Sequence, residues 1–92
     1  MSAIAGRVAL VTGGSRGIGQ GVAVALGAAG ARVVINYRQA GAEAEAVVTR
    51  IRGTGGEAIA VQADVSRPDE AAALVDAAER AFGAVGILVN NA

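Results

Sequence analysis

The stretch Thr12-Gly13-Gly14-Ser15-Arg16-Gly17-Ile18-Gly19 constrains this chain more than any other, because it separates two segments of different periodicity. Before it, Val8-Ala9-Leu10-Val11 is a continuous apolar run of strand length. After it, Ile18, Val22, Leu26 and Ala29 recur at helical spacing. Glycines at 13, 17 and 19 let a strand turn sharply into a helix, bring backbone close to a ligand, and leave no Cβ between helix and strand. The first N–H groups of such a helix have no intrahelical acceptor, and the helix dipole adds partial positive charge at the same end. Three glycines alone would indicate only a turn. With a strand before and a helix after, they predict a diphosphate site of the kind that holds a dinucleotide.

A chain of 92 residues makes at most one small domain, expected to bury about 60 to 65% of the surface its unfolded form exposes. Its apolar content of 53% comes mainly from Ala, Val, Ile and Leu, with one Tyr, one Phe and no Trp. That mixture suits parallel strands covered by helices on both faces. Net charge is zero and no basic run occurs, so nucleic acid and anionic membrane surfaces are not expected partners. Cysteine and histidine are absent, which removes a disulfide framework and a thiolate metal site, and no metal site is expected. Neither a basic leader nor an apolar run of membrane-spanning length is present, and the expected location is the cytoplasm. All eight basic residues are arginine.

Taken in order, Arg7 to Thr12 reads as the first strand and Gly17 to about Ala29 as the first helix, stopped by Gly30. Arg32 to Tyr37 is the second strand. Ala40 to about Thr54 is the second helix, with Ala44, Val47, Val48 and Ile51 on one face and Glu43, Glu45, Arg50 and Arg52 on a solvated one. Glu57 to Gln62 is the third strand. Ser66 stands where an N-cap belongs, followed by Pro68, Asp69 and Glu70 in a first turn, with Leu74, Val75, Ala78 and Phe82 as the buried stripe. Gly83 and Gly86 break that helix, and Ile87 to Asn90 is the fourth strand. The alternation βαβαβαβ predicts an α/β fold with a parallel sheet of order 3-2-1-4 and helices on both faces. Its ligand crevice lies beyond the carboxyl ends of strands one and four, where the order reverses. Strand four is then an apolar edge open to self-association or a homo-oligomer contact.

Three motifs at successive strand ends, Thr12 to Gly19, Asp64-Val65 and Asn90-Asn91-Ala92, resemble the short-chain dehydrogenase/reductase family over essentially the whole chain. The wording is nearest to its 3-oxoacyl-(acyl-carrier-protein) reductase and glucose dehydrogenase members. The resemblance implies a partial Rossmann fold, with residues 1–92 as its N-terminal NAD(P)-binding part and the catalytic half absent. It implies that Gly13, Gly17, Ile18 and Gly19 form the diphosphate turn. Asp64 and Val65 would lie against the adenine, with the Asp64 carboxylate accepting from the amino group, and Asn90 and the Ala92 backbone along the ribose. By their own sequence context, Asp64 is a strand-end turn or cap and the Asn-Asn pair a turn.

An NAD-selective site of this kind places an acid near the end of strand two, to hold the ribose 2′-OH. Here that region reads Asn36-Tyr37-Arg38. Tyr37 sits at the cofactor end of the strand, and Arg38 with Arg16 and Ser15 can surround a 2′-phosphate with charge-assisted hydrogen bonds of about 1.5 to 3 kcal/mol each. NADP(H) is therefore expected ahead of NAD(H). Taken singly, either arginine is also an ordinary solvated surface residue.

The family's hydride transfer uses a Tyr-x-x-x-Lys pair with a Ser and an Asn that follow strand four. This chain has no lysine, its one tyrosine is Tyr37, and its serines are Ser2, Ser15 and Ser66, so no catalytic residue is assigned. Two readings stay open. One is the cofactor-binding part of an NADP-dependent oxidoreductase that reduces a carbonyl or oxidises an alcohol, its small-molecule substrate bound only with the missing half supplied. The other is a nucleotide-binding or self-associating module without catalysis.

Overall fold

The structure, a computed structural model, describes residues 3–91. Along it alternate β1 (Val8–Thr12), α1 (Gly17–Ala28), β2 (Arg32–Tyr37), α2 (Gly41–Gly53), β3 (Glu57–Gln62), α3 (Pro68–Phe82) and β4 (Val85–Asn90). The strands form one parallel sheet in the order β3-β2-β1-β4, the doubly wound arrangement expected. Leu10 pairs with Val34 on one side and Leu88 on the other, which aligns the carboxyl ends of the central strands.

Continuous apolar runs form the central strands because both of their faces are covered. Ala9, Val11, Val33 and Ile35 pack with Ala23 of α1 and with Ala44, Val47, Val48 and Ile51 of α2. The alternate residues Leu10 and Val34 pack with Leu74 and Ala78 of α3. Helices therefore lie on both faces, and the two-residue period of the strands decides which side chain meets which helix. Full burial of each large apolar side chain, such as Ile35 or Ile51, contributes about 1.5–3 kcal/mol before the ordering of the chain is offset.

Four local features differ from the sequence expectations. The buried face of α1 is Gly19, Ala23 and Gly27, whereas Ile18 is 78% exposed; Gly19 lies against the backbone of Gly13 and Gly27 against the Ile51 side chain of α2, so neither place has room for a larger residue. Val75 is 41% exposed, since the buried stripe of α3 is Leu74 and Ala78 and Val75 lies on the uncovered flank. Strand β4 begins at Val85, which pairs with Val8 across a register irregularity, so Gly86 is inside the strand rather than a break. Ser66 is not the cap of α3. That position belongs to Arg67, whose side chain makes no capping bond, because Ser66 is already engaged by Asp64. Among the described residues no helix is long and apolar enough to cross a membrane.

Candidate functional site

Thr12, at the end of β1, ties the glycine turn to the end of β4. Its hydroxyl accepts the Asn91 N–H at 3.0 Å and is placed to donate to Asn90 Oδ1 at 3.2 Å or the Val89 carbonyl at 3.3 Å. Asn91 Nδ2 donates to the Gly13 carbonyl at 3.4 Å, and the Gly14 N–H donates to the Asn36 carbonyl at 3.2 Å. The turn is thus clamped from both neighbouring strands. Gly13 and Gly17 have φ of +64° and +54°, the left-handed region where a Cβ is strained.

Gly19 serves the site from below. It is buried, and a Cβ there would lie 2.2 Å from the Gly13 carbonyl oxygen and 2.6 Å from Asn91 Nδ2. Around Gly17 the opposite holds, since a Cβ would meet nothing within 4 Å. The helix behind Gly17 has no side-chain cap and no acid in its first turn. Uncapped N–H groups, the positive end of α1 and open space at Gly17 together fit a diphosphate.

A cleft of about 480 Å³ opens over this turn and brings together Gly13, Ser15, Arg16, Gly17, Ile18, Tyr37 and Arg38 with Asn91. A second hollow of about 370 Å³ contains Asp64 and Val65 and shares Gly13 and Arg38 with the first. One groove therefore crosses the carboxyl ends of β1, β2 and β3, with Arg38 at the junction. Asn90 is turned to Thr12, and its neighbour Asn91 takes the place in the cleft. Ala92 lies outside the described residues.

The strand end beside the second hollow is held by Asn36, which lines that hollow and is 3% exposed. Its Nδ2 donates to the Ala63 carbonyl at 3.1 Å and the Val61 carbonyl at 3.3 Å. Gln62 Nε2 donates to the Arg38 carbonyl at 3.2 Å, fixing the backbone that carries the arginine. At Asp64, the Ser66 hydroxyl and N–H donate to Oδ1 at 2.6 Å and 3.0 Å. The Ser66 hydroxyl bond first and the Ser66 N–H bond second hold this carboxyl below its ordinary range; desolvation opposes them, and the charges of Arg38 and Arg67 each help by less than desolvation opposes. Asp64 is thus an ionised acceptor, and a carboxylate has lone pairs beyond those the turn uses. The turn reading and the adenine reading of Asp64 are compatible.

Sequence inspection passed over Asn36, Asn91 and Glu43. Asn91 had a signal, as the second member of the Asn-Asn pair. Glu43, the ion-pair partner of Arg16, had none, because it reads as one more charge on a polar helix face. Among the described residues no cluster of acidic, histidine or cysteine side chains is arranged to hold a metal ion.

The family model described as short chain dehydrogenase matches residues 7–92. The chain is 54% identical to an uncharacterized oxidoreductase of Methylorubrum extorquens, over 99% of its own length and 37% of the relative's. It is 51% identical to a 3-oxoacyl-[acyl-carrier-protein] reductase of Synechocystis sp., over 100% of its own length and 37% of that reductase. Its backbone superposes with a TM-score of 0.92 on a short chain dehydrogenase from Burkholderia cenocepacia solved in complex with NADP, at 49% identity, covering 97% of this chain and 36% of that one. The chain thus spans about a third of the length of the proteins it matches. On the family match across residues 7–92 and half-identity over the full 92 residues, this chain belongs to the short chain dehydrogenase family.

Proposed function

We propose that this chain binds NADP(H) and forms the cofactor-binding part of an oxidoreductase that interconverts a carbonyl and an alcohol. The observation that carries the cofactor choice is the placement of Arg16, Arg38 and Ser15 in one cleft, where the end of β2 reads Asn36-Tyr37-Arg38 and carries no acid. A 2′-phosphate between two guanidiniums gains charge-assisted hydrogen bonds, and the acid that would favour a free 2′-OH is missing from the strand end. The NADP seen in the Burkholderia relative supports the same choice.

In this reading the uncapped start of α1 at Gly17-Ile18 holds the diphosphate, and Asp64 with Val65 borders the adenine. Ile18, 78% exposed, is covered by the bound cofactor, and Asn91 marks the path toward the nicotinamide. The cofactor supplies or accepts the hydride. Residues of this chain bind and orient it, and none of the 92 residues is assigned a proton-transfer role.

Titrating the purified chain with NADPH and NADH while following thermal unfolding tests the reading. NADPH at a hundred times its Kd should stabilise the fold by about 2.7 kcal/mol, with NADH needing a much higher concentration for the same effect. Equal responses, or none, would overturn it.

A second property is favoured by β4, the sheet's edge among the described residues, where Leu88 is 65% exposed. An apolar edge strand offers unpaired backbone groups to another chain. We propose that the isolated chain self-associates there, and that Leu88→Lys, which puts a charge on the edge, shifts it to monomer. A monomeric wild-type chain by light scattering at high concentration contradicts this.

A further inference from the structure

We propose that Glu43 is a specificity-determining residue: it competes with the cofactor's 2′-phosphate for Arg16 and so sets the strength of the NADPH preference. The proposal rests on the NADP(H) reading above. Its basis is an ion pair between Arg16 Nε and Glu43 Oε2, which joins the residue before α1 to the first turn of α2 across 27 positions of sequence.

Arg16 stands between two hollows. One is the cleft it shares with Arg38 and Ser15. The other, about 330 Å³, also contains Ser15 and Gly17 and has Glu43 as a wall. The guanidinium is oriented to Glu43, with the side chains 71% and 52% exposed, so the pair is weak enough to be exchanged for a better anion. Glu43 lies in the first turn of α2, the end of a helix where an acidic side chain is well placed against the dipole. A phosphomonoester brings about two negative charges and three acceptor oxygens, so it draws the guanidinium toward the cleft while the nearby carboxylate repels it. Arg38, by contrast, has Asp64 as the acid that feels its charge, on the adenine side of the groove. Of the two arginines, Arg16 is the one whose contribution is held back.

NADH lacks the 2′-phosphate and does not ask for Arg16, so the effect of Glu43 is confined to NADPH. Neutralising an exposed ion-pair partner corresponds to about two- to fivefold in affinity. The experiment measures Kd of NADPH and NADH by calorimetry for the wild-type chain, Glu43→Gln, Arg16→Gln and the double variant, at low and high salt. Expected are NADPH binding tightened about two- to fivefold by Glu43→Gln, NADH unchanged, the gain abolished in the Arg16→Gln background, and a smaller gain at high salt, where exposed charges are screened. No gain, weaker NADPH binding, an equal change for both cofactors, or a gain that survives without Arg16 overturns the competition. Wild-type binding that ignores the 2′-phosphate, or that is absent, instead removes the NADP(H) reading and this proposal with it. Wild-type preference for NADPH without response to Glu43→Gln removes only the role of Glu43.

Discussion

Gly19→Ala is expected to lower the melting temperature by roughly 5–25 °C, although it adds a single methyl group to a helix and replaces a residue poorly suited to one. The added Cβ would lie 2.2 Å from the Gly13 carbonyl oxygen and 3.0 Å from the Gly13 carbonyl carbon. Both are backbone atoms of a turn clamped by Asn36 and Asn91, so no rotamer change relieves the clash. The start of α1 must move off the turn, and Ala23 and Gly27, buried on the same face, are drawn with it. Overpacking of this kind costs about 1–3 kcal/mol, occasionally more, and each kcal/mol shifts the midpoint of a domain this small by about 4–8 °C. Gly21→Ala supplies the contrast, since its Cβ meets nothing within 4 Å. That exchange should stabilise the chain by about 0.5–1 kcal/mol through helix propensity and reduced freedom of the unfolded chain. Opposite signs two residues apart on one helix isolate the close approach as the cause; similar melting curves for wild type and Gly19→Ala would refute it.

Most of the architecture was legible because the central strands are apolar on both faces and each is followed by a helical period. Order 3-2-1-4 then follows from alternation and known crossover preferences. What escaped depends on which groups meet in space. The helical spacing of Ile18, Val22 and Leu26 identified α1 but not its buried face, which is made of Gly19, Ala23 and Gly27 because the helix meets the turn at Gly19 and Ile51 of α2 at Gly27. Ser66 has the chemistry of a cap, yet Asp64 two residues earlier offers its hydroxyl and N–H a carboxylate, and a local turn of that kind competes directly with capping. In the site, glycine spacing and strand-end residues located the cleft. The Arg16–Glu43 pair was invisible, because it exists only once α1 and α2 lie side by side on the same face of the sheet.

Arg38→Asp is expected to weaken NADPH binding by about 10- to 150-fold, the equivalent of one charge-assisted hydrogen bond of about 1.5–3 kcal/mol, and to leave NADH binding unchanged or improved. Arg38 follows β2 at the junction of the two hollows, and Gln62 holds its carbonyl rather than its side chain, so the backbone stays in place when the guanidinium is removed. The new carboxylate changes the local charge by two units and stands where a 2′-phosphate would be repelled, while a free ribose 2′-OH can donate to it. Arg38→Gln separates these effects: loss of the cation without an added anion should weaken NADPH less than Arg38→Asp does and offer NADH no comparable gain. Asp64 provides an internal check. Arg38 is one of the charges that hold its carboxyl below the ordinary range, but the Ser66 bonds dominate, so Asp64 stays ionised at neutral pH in either variant and its proposed role toward the adenine is left unchanged. The selectivity change therefore reports on the phosphate alone. Calorimetric titration of both cofactors decides it, and an equal loss for NADPH and NADH would mean that Arg38 supports the cleft without reading the 2′ position.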